Sequence, residues 1–258
     1  MLKSGLIGYT GFVGGNLCQQ KSFDGLYNSK NITDITGKNF DLLICAGAPA
    51  EKWKINQEPE ADKQNLEILK QALLSATVGK LVLISTVDVY KSPNGMNEDD
   101  QIETEGLHPY GLHRYELEEF AKKSFDTTVI RLPGLFGDGI KKNVIFDFLT
   151  GNTPFIEKAH SESEYQYYNL DNIWKDIQTA LDAGLQTVNF ATEPVSTRDV
   201  AKVAFGIDFD NKPEGVLPVR YDFRTKYADF YGRAGDYILD ADSVLKGIEG
   251  FVKRWKQG

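Results

Sequence analysis

"SGLIGYTGFVGGNL", residues 4–17, sets Gly8, Gly11 and Gly14 three positions apart, after a short apolar run and before a helix-like segment. A turn from strand to helix needs glycine where the backbone is tight, where it approaches a pyrophosphate and where helix packs on strand. The helix start then turns free N–H groups and the positive dipole end toward phosphates. Glycine-rich turns join strands to helices in many folds, so it is the position between the first strand and first helix that points to a dinucleotide.

Further along the chain, apolar runs recur at Leu2 to Ile7, Leu42 to Ala46, Leu81 to Ser85, Thr128 to Leu132 and Thr187 to Phe190. Runs this short, bounded by Gly, Asp or Lys, suit strands buried on both faces of a parallel sheet. Between them lie segments long enough for crossover helices. In EPEADKQNLEILKQALLSA, Leu66, Leu69, Ala72, Leu73 and Ala76 share a helical face, and Pro59 suits the first turn. The alternation predicts an α/β fold, a Rossmann-type doubly wound parallel sheet with a small C-terminal substrate-binding lobe. We expect one domain over 1–258: about 1–140 as the dinucleotide-binding core, about 141–258 mostly lobe, with strand 187–190 returning to the sheet.

In the lobe, SESEYQYYNLDNIWKDIQTAL reads as a loop or short strand followed by a helix, with Tyr165, Tyr167 and Tyr168 as lobe core. Ser196 is a helix N-cap with Asp199 three residues on. Val244, Leu245, Ile248, Phe251, Val252 and Trp255 form one face of a terminal helix.

The chain has 258 residues and a formal charge of −8, with no Lys/Arg block to track a phosphate backbone, so no nucleic-acid partner is expected. Cys18 and Cys45 form no CxxC pair, and His108, His113 and His160 are not at ligand spacing, so no metal site is expected. With no leader-like segment and no apolar stretch near 18 residues, a cytoplasmic protein without membrane contact is expected.

An acidic residue at the end of the second strand would bind the adenosine ribose of NAD. Here the stretch GLYNSKNITDI offers Asn28, Ser29 and Lys30 instead, a set that suits the 2′-phosphate of NADP better than NAD. The same stretch also reads as a polar surface loop with a solvated lysine. Further on, Tyr110 and Arg114 stand four apart on a predicted helix, sharing a face. A tyrosine beside a cation can protonate a ketone that accepts hydride, and Thr86 at a strand end can hydrogen-bond the same oxygen.

Taken in order from residue 5 to about 205, these pieces resemble the extended short-chain dehydrogenases/reductases, also called the NAD-dependent epimerase/dehydratase family. The motif GYTGFVG, the strand end Thr86-Val87-Asp88-Val89-Tyr90, Tyr110-x-x-x-Arg114 with Glu118 further along, ICAGAPA, RLPGLFGDG and YQYYNLDNIW carry the resemblance. It implies a cofactor site of Gly8, Thr10, Gly11, Phe12, Val13, Gly14, Asn28, Ser29, Lys30, Cys45, Ala46, Gly47, Ala48, Asn65, Ser85, Tyr110, Arg114 and Pro133. It also implies catalysis by Tyr110, Thr86 and Arg114, and a small, sugar-like substrate near Thr86, Asp88, Lys52, Trp53, Gly134, Asn143 and Gln166. A homodimer through the helices Pro109 to Lys123 and Glu58 to Ser75 is a further implication.

Three departures bear on function. Arg114 replaces the family's lysine, which binds the nicotinamide ribose and lowers the tyrosine pKa, and the exchange is not neutral. Val87-Asp88 stands where dehydratases carry Asp-Glu, which disfavours dehydration. Gly134 and Gln166 replace an asparagine and a basic residue expected near a nucleotide-linked substrate. The expectation is a keto-group reductase using NADP or NAD, with a cofactor-retaining epimerase and a non-catalytic dinucleotide sensor as alternatives.

Overall fold

Strands that read as unbroken apolar runs lie at the centre of a six-stranded parallel sheet with helices flanking it. The computed structural model describes residues 3–257. In chain order the elements begin with β1 (Ser4–Ile7), α1 (Phe12–Gln20), β2 (Gly25–Tyr27), β3 (Asn39–Cys45), α2 (Lys52–Gln57), α3 (Pro59–Leu74) and β4 (Thr77–Thr86). There follow α4 (Pro109–Ser124), β5 (Thr127–Leu132), β6 (Gly134–Phe136), α5 (Val144–Thr150), α6 (Thr153–Ile156), β7 (Glu164–Tyr165) and β8 (Tyr167–Asn169). Last come α7 (Ile173–Asp182), β9 (Thr187–Asn189), β10 (Val195–Ser196), α8 (Thr197–Val200) and α9 (Ala241–Trp255).

The chain divides into two units, 1–92 with 99–131 and 173–188, and 93–98 with 132–172 and 189–258. The large sheet runs β2-β1-β3-β4-β5-β9, and each of the five predicted runs supplies one of its strands. Leu2 of the first run lies outside the described residues. β4 starts four residues before its predicted run, because Thr77 and Gly79 are exposed and carry no apolar signal. β2 is a three-residue edge strand with Leu26 exposed, too short to announce itself.

From β2 the chain crosses to the other side of β1 through a single 3₁₀ turn, Ile32–Ile35, and enters β3. The order therefore reverses between β1 and β3, and in open α/β sheets ligands bind beyond the carboxyl ends of strands at such a reversal. The register Ile7↔Cys45↔Leu83 sets the ends of β1 and β3 side by side, with β4 running three residues further, to Thr86. On α3, Leu66, Leu69, Ala72 and Leu73 face a core shared with Ile7, Leu43, Leu81, Leu117 and Val129. Ala76 lies beyond the helix end.

In the second unit β6 pairs in parallel with β8, and β7 antiparallel with β10. Tyr167 and Tyr168 are buried there, while Tyr165 is half-buried and stacked on Tyr221. The Ser196 hydroxyl accepts the Asp199 N–H, capping α8 as expected. α9 buries Val244, Ile248, Phe251 and Val252, with Leu245 half-buried. Trp255 is exposed instead, because it sits in the last turn beside Lys253 and Arg254, touching only the edge of Phe251 at 6.0 Å between ring centres.

Candidate active site

Glycine at the end of β1 is a steric requirement. Gly8 has φ +91°, and a Cβ on it would stand 2.3 Å from the Ala46 carbonyl oxygen. A Cβ on Gly14 would stand 2.1 Å from the Gly8 carbonyl oxygen, so α1 sits directly on the turn. Gly11 donates its N–H to the Gly8 carbonyl (2.9 Å) and is the exposed N-cap of α1, which no side chain caps. The first N–H groups of α1 and its positive dipole end suit an anion. Thr10 is exposed, and Phe12, Val13, Ala46, Gly47 and Ala48 are half-buried around this turn.

Some predicted cofactor contacts do not present their side chains. Cys45 is fully buried in the core, where desolvation pushes its thiol up to about 11. Asn65 is exposed on α3. Pro133 is half-buried just past β5. After β2, Asn28 and Asn31 tie the loop through Asn28 N–H to Asn31 Oδ1 (2.7 Å) and Lys30 N–H to Asn28 Oδ1 (2.9 Å), with Ser29 and Lys30 exposed.

At the end of β4 the Thr86 hydroxyl accepts the Asp88 N–H (3.1 Å), and Asp88 pairs with Lys52 of α2 (2.7 Å). Trp53 beside it is exposed at 64%. α4 begins at His108, whose Nδ1 accepts the Gly111 N–H (3.0 Å), while Asn56 Oδ1 accepts the Tyr110 N–H (3.0 Å). A Cβ on Gly111 would lie 2.2 Å from the Asp88 carbonyl oxygen, so only glycine lets α4 abut the turn after β4. Tyr110 is thereby buried against Thr86, which hydrogen-bonds it. Burial pushes the Tyr110 phenol above its ordinary pKa, against the opposing pull of Arg114, with Asp88 adding to the rise and Thr86 and Lys52 opposing it. His108 is thus the cap of this helix.

Arg114 departs from its expected role. Its guanidinium forms a fork with Asp62 of α3 (Nη1–Oδ2 3.0 Å, Nη2–Oδ1 2.9 Å), and Nη2 also donates to the Pro49 carbonyl (2.6 Å). The same group lies over the Tyr110 ring, 4.9 Å from its centre. A guanidinium so engaged is not presented to a ribose. His113 is buried with Nδ1 2.8 Å from Asp62 Oδ2. Burial pushes the Asp62 carboxyl up, but hydrogen bonds and charge from Arg114, then His113, outweigh it and hold the pKa below its ordinary value. Asp62 escaped the sequence reading although the signal was present. It falls on the apolar stripe Leu66–Leu69–Leu73, where a carboxylate needs a buried partner.

Ser85 faces inward. Its hydroxyl donates to Glu118 (2.6 Å), which also takes Arg131 of β5 (Nη2–Oε2 2.6 Å), and Arg131 Nη1 donates to the Tyr90 hydroxyl (2.8 Å). This buried chain joins β4, the turn after it, α4 and β5, and it removes the Ser85 hydroxyl from the cofactor set. An arginine inside an apolar strand was the overlooked cue.

The second unit holds Gly134, Asn143 and Gln166, and each has a backbone task. A Cβ on Gly134 would lie 2.9 Å from the Gln166 carbonyl oxygen, so glycine there serves the β6–β8 approach. Asn143, at φ +98°, caps α5 by accepting the Ile145 and Phe146 N–H groups and donates to the Leu135 carbonyl (2.9 Å). Gln166 is buried, donates to the carbonyls of Thr192 (2.5 Å) and Phe223 (2.7 Å) and accepts the Phe223 N–H (2.9 Å). The amides of Asn143 and Gln166 bond to backbone groups of their own unit, a task that their expected place near substrate did not include.

Solved structures share this architecture. A dTDP-4-dehydrorhamnose reductase from Clostridium acetobutylicum has a TM-score of 0.75 at 15% identity, covering 99% of this chain and 100% of its own. The chain shares the fold of this reductase. A dTDP-4-dehydrorhamnose reductase from Bacillus anthracis, in complex with NADP, shares this fold at TM-score 0.73 and 16% identity, with 98% and 99% of the two chains covered. A UDP-N-acetylglucosamine 4-epimerase from Methanobrevibacter ruminantium, in complex with UDP-N-acetylmuramic acid, shares it at 0.75 and 14%, with 99% and 98% covered. No protein-family model matches the sequence, and no curated protein matches it. Among the described residues no helix is long and apolar enough to cross a membrane, and no group of three or more His, Cys, Asp or Glu could hold a metal.

Proposed function

We propose that the protein is a nicotinamide-dinucleotide reductase acting on a keto group of a sugar-like, nucleotide-linked substrate in the cytoplasm. The observation that carries this reading is the meeting of Thr86 and Tyr110 at the carboxyl end of β4, on the same end of the sheet as the glycine turn after β1. The turn fits a dinucleotide: Cβ atoms at Gly8 and Gly14 would overlap the backbone that forms it, and the uncapped start of α1 offers N–H groups to a pyrophosphate. Lys30 and Ser29, exposed after β2, would take the 2′-phosphate of NADP. The NADP held by the Bacillus anthracis reductase supports the same cofactor.

When bound, the dinucleotide supplies hydride to the carbonyl carbon. Tyr110 gives its phenolic proton to the carbonyl oxygen. The Thr86 hydroxyl, which accepts the Asp88 N–H and lies 3.5 Å from Asp88 Oδ2, turns its proton to that oxygen when substrate binds, and the Lys52–Asp88 pair borders the substrate. The exposed Ile68 and Leu74 of α3 support a homodimer built on α3 and α4. One observation favours a second reading, a dinucleotide-binding sensor without chemistry: Arg114 is engaged by Asp62 and Pro49, away from the ribose-binding role.

Tyr110→Phe separates the two. In a reductase it lowers NADPH consumption with 4-keto nucleotide sugars by about 10²–10⁴-fold, the usual contribution of a positioned proton donor, and leaves NADPH affinity within a factor of two or so. Equal rates in the parent and the variant would remove Tyr110 from the chemistry. Absence of turnover in both, with NADPH bound, would favour the sensor.

A further inference from the structure

A cation over a tyrosine ring ordinarily draws the phenol toward tyrosinate, and a carboxylate bound to that cation cancels part of its pull. In this chain the cation is Arg114, 4.9 Å from the Tyr110 ring centre, and the carboxylate is Asp62, buried at 3% exposure and bound to both terminal nitrogens of the guanidinium. We infer that Asp62 is a positioning residue that neutralises Arg114, so that Tyr110 stays a neutral phenol and the site works as a proton donor, reducing carbonyls, rather than as a base that oxidises alcohols.

The inference rests on the proposed reductase reading for its consequence and on geometry for its cause. Arg114 has no second route to charge balance within this corner. Its Nη2 reaches the Pro49 carbonyl, which is a dipole and not an anion, and His113 meets Asp62 on the same Oδ2 that takes Nη1. Take Asp62 away, and the ring oxygen of Tyr110 becomes the anion available to a buried guanidinium. The other groups acting on Tyr110 are Asp88 from the turn after β4, Lys52 from α2 and the Thr86 hydroxyl, with His108 at the start of α4 stacked 6.3 Å from its ring. Asp88 and Lys52 are paired at 2.7 Å and act on Tyr110 in opposite directions. Burial acts most strongly on Tyr110 and favours the phenol, Arg114 is the main charge that opposes it, and Asp62 is the anion bound to Arg114. An epimerase needs the same tyrosine as proton acceptor in one half of its cycle, which a neutral phenol does not provide.

The test is an ultraviolet titration of tyrosinate on the full chain, with each protein read against its own Tyr110→Phe partner so that the difference reports Tyr110 alone. It needs neither substrate nor dinucleotide, so it can fail while the reductase reading stands, and the reverse. In the parent the difference stays flat up to about pH 10, the ordinary tyrosine range. In Asp62→Asn, which keeps the shape and removes the charge, the Tyr110 midpoint falls by about one pH unit or more. In Asp62→Glu, which keeps the charge, it stays as in the parent. A midpoint that is unmoved or raised in Asp62→Asn overturns the inference. Should Asp62→Asn not fold, the double variant Asp62→Asn with Arg114→Lys sets a lone ammonium in the same place. The same fall is expected there, and its absence overturns the inference equally.

Discussion

The corner formed by β4, α3 and α4 and the loops around β6 and β8 both bury polar side chains, but the corner joins side chain to side chain whereas the loops join side chain to backbone. Thr86 and Tyr110 bond to one another at the end of β4, with Asp88 on Thr86, while Asp62, Glu118 and Arg131 hold the elements that carry them. In the second unit Asn143 and Gln166 spend their amides on N–H and carbonyl groups of their own chain. The difference shows that a polar residue in a loop-rich segment is first a candidate for satisfying buried backbone. Only a group with unused hydrogen-bonding capacity is a candidate for binding.

The comparison breaks most severely at Glu118. Glu118→Gln leaves Arg131 buried without its carboxylate, and thermal or urea unfolding should show a loss of about 3–5 kcal/mol, the usual result of removing one partner of a buried pair. A loss under about 1 kcal/mol would mean that the Ser85–Glu118–Arg131–Tyr90 chain does not hold the corner together. Gln166→Leu sharpens the other side. It strands the Thr192 and Phe223 backbone groups, and a drop of about 1–3 kcal/mol for such unpaired buried groups is expected, with dinucleotide affinity unchanged. Unchanged stability combined with a raised substrate KM would return Gln166 to the binding site.

How far the sequence could be read follows the same division. Gly8 and Gly14 were legible because backbone overlap leaves no other residue a place, and the buried strands because their apolar runs are unbroken. β2 was marked only by its position, since an exposed three-residue edge strand has no periodicity to show. Thr86 and Tyr110 were placed by motif, but the burial that pushes Tyr110 up, and the Asp62 fork that takes Arg114, depend on which helix face meets which. Spacing along one helix does not encode that. The carboxylate on the α3 stripe and the arginine inside β5 were the two readable cues, each a charge where only apolar side chains can stand unpaired.

The account turns on a dinucleotide seated at the glycine turn, and fluorescence titration of the purified protein with NADPH and NADH tests it most directly. Saturable binding is expected, with NADPH held about tenfold more tightly than NADH, equivalent to about 1.4 kcal/mol. Lys30→Ala should close that gap by weakening NADPH alone. Failure to bind either dinucleotide would contradict the central claim, and equal affinities unaltered by Lys30→Ala would overturn the assignment of the 2′-phosphate to the loop after β2.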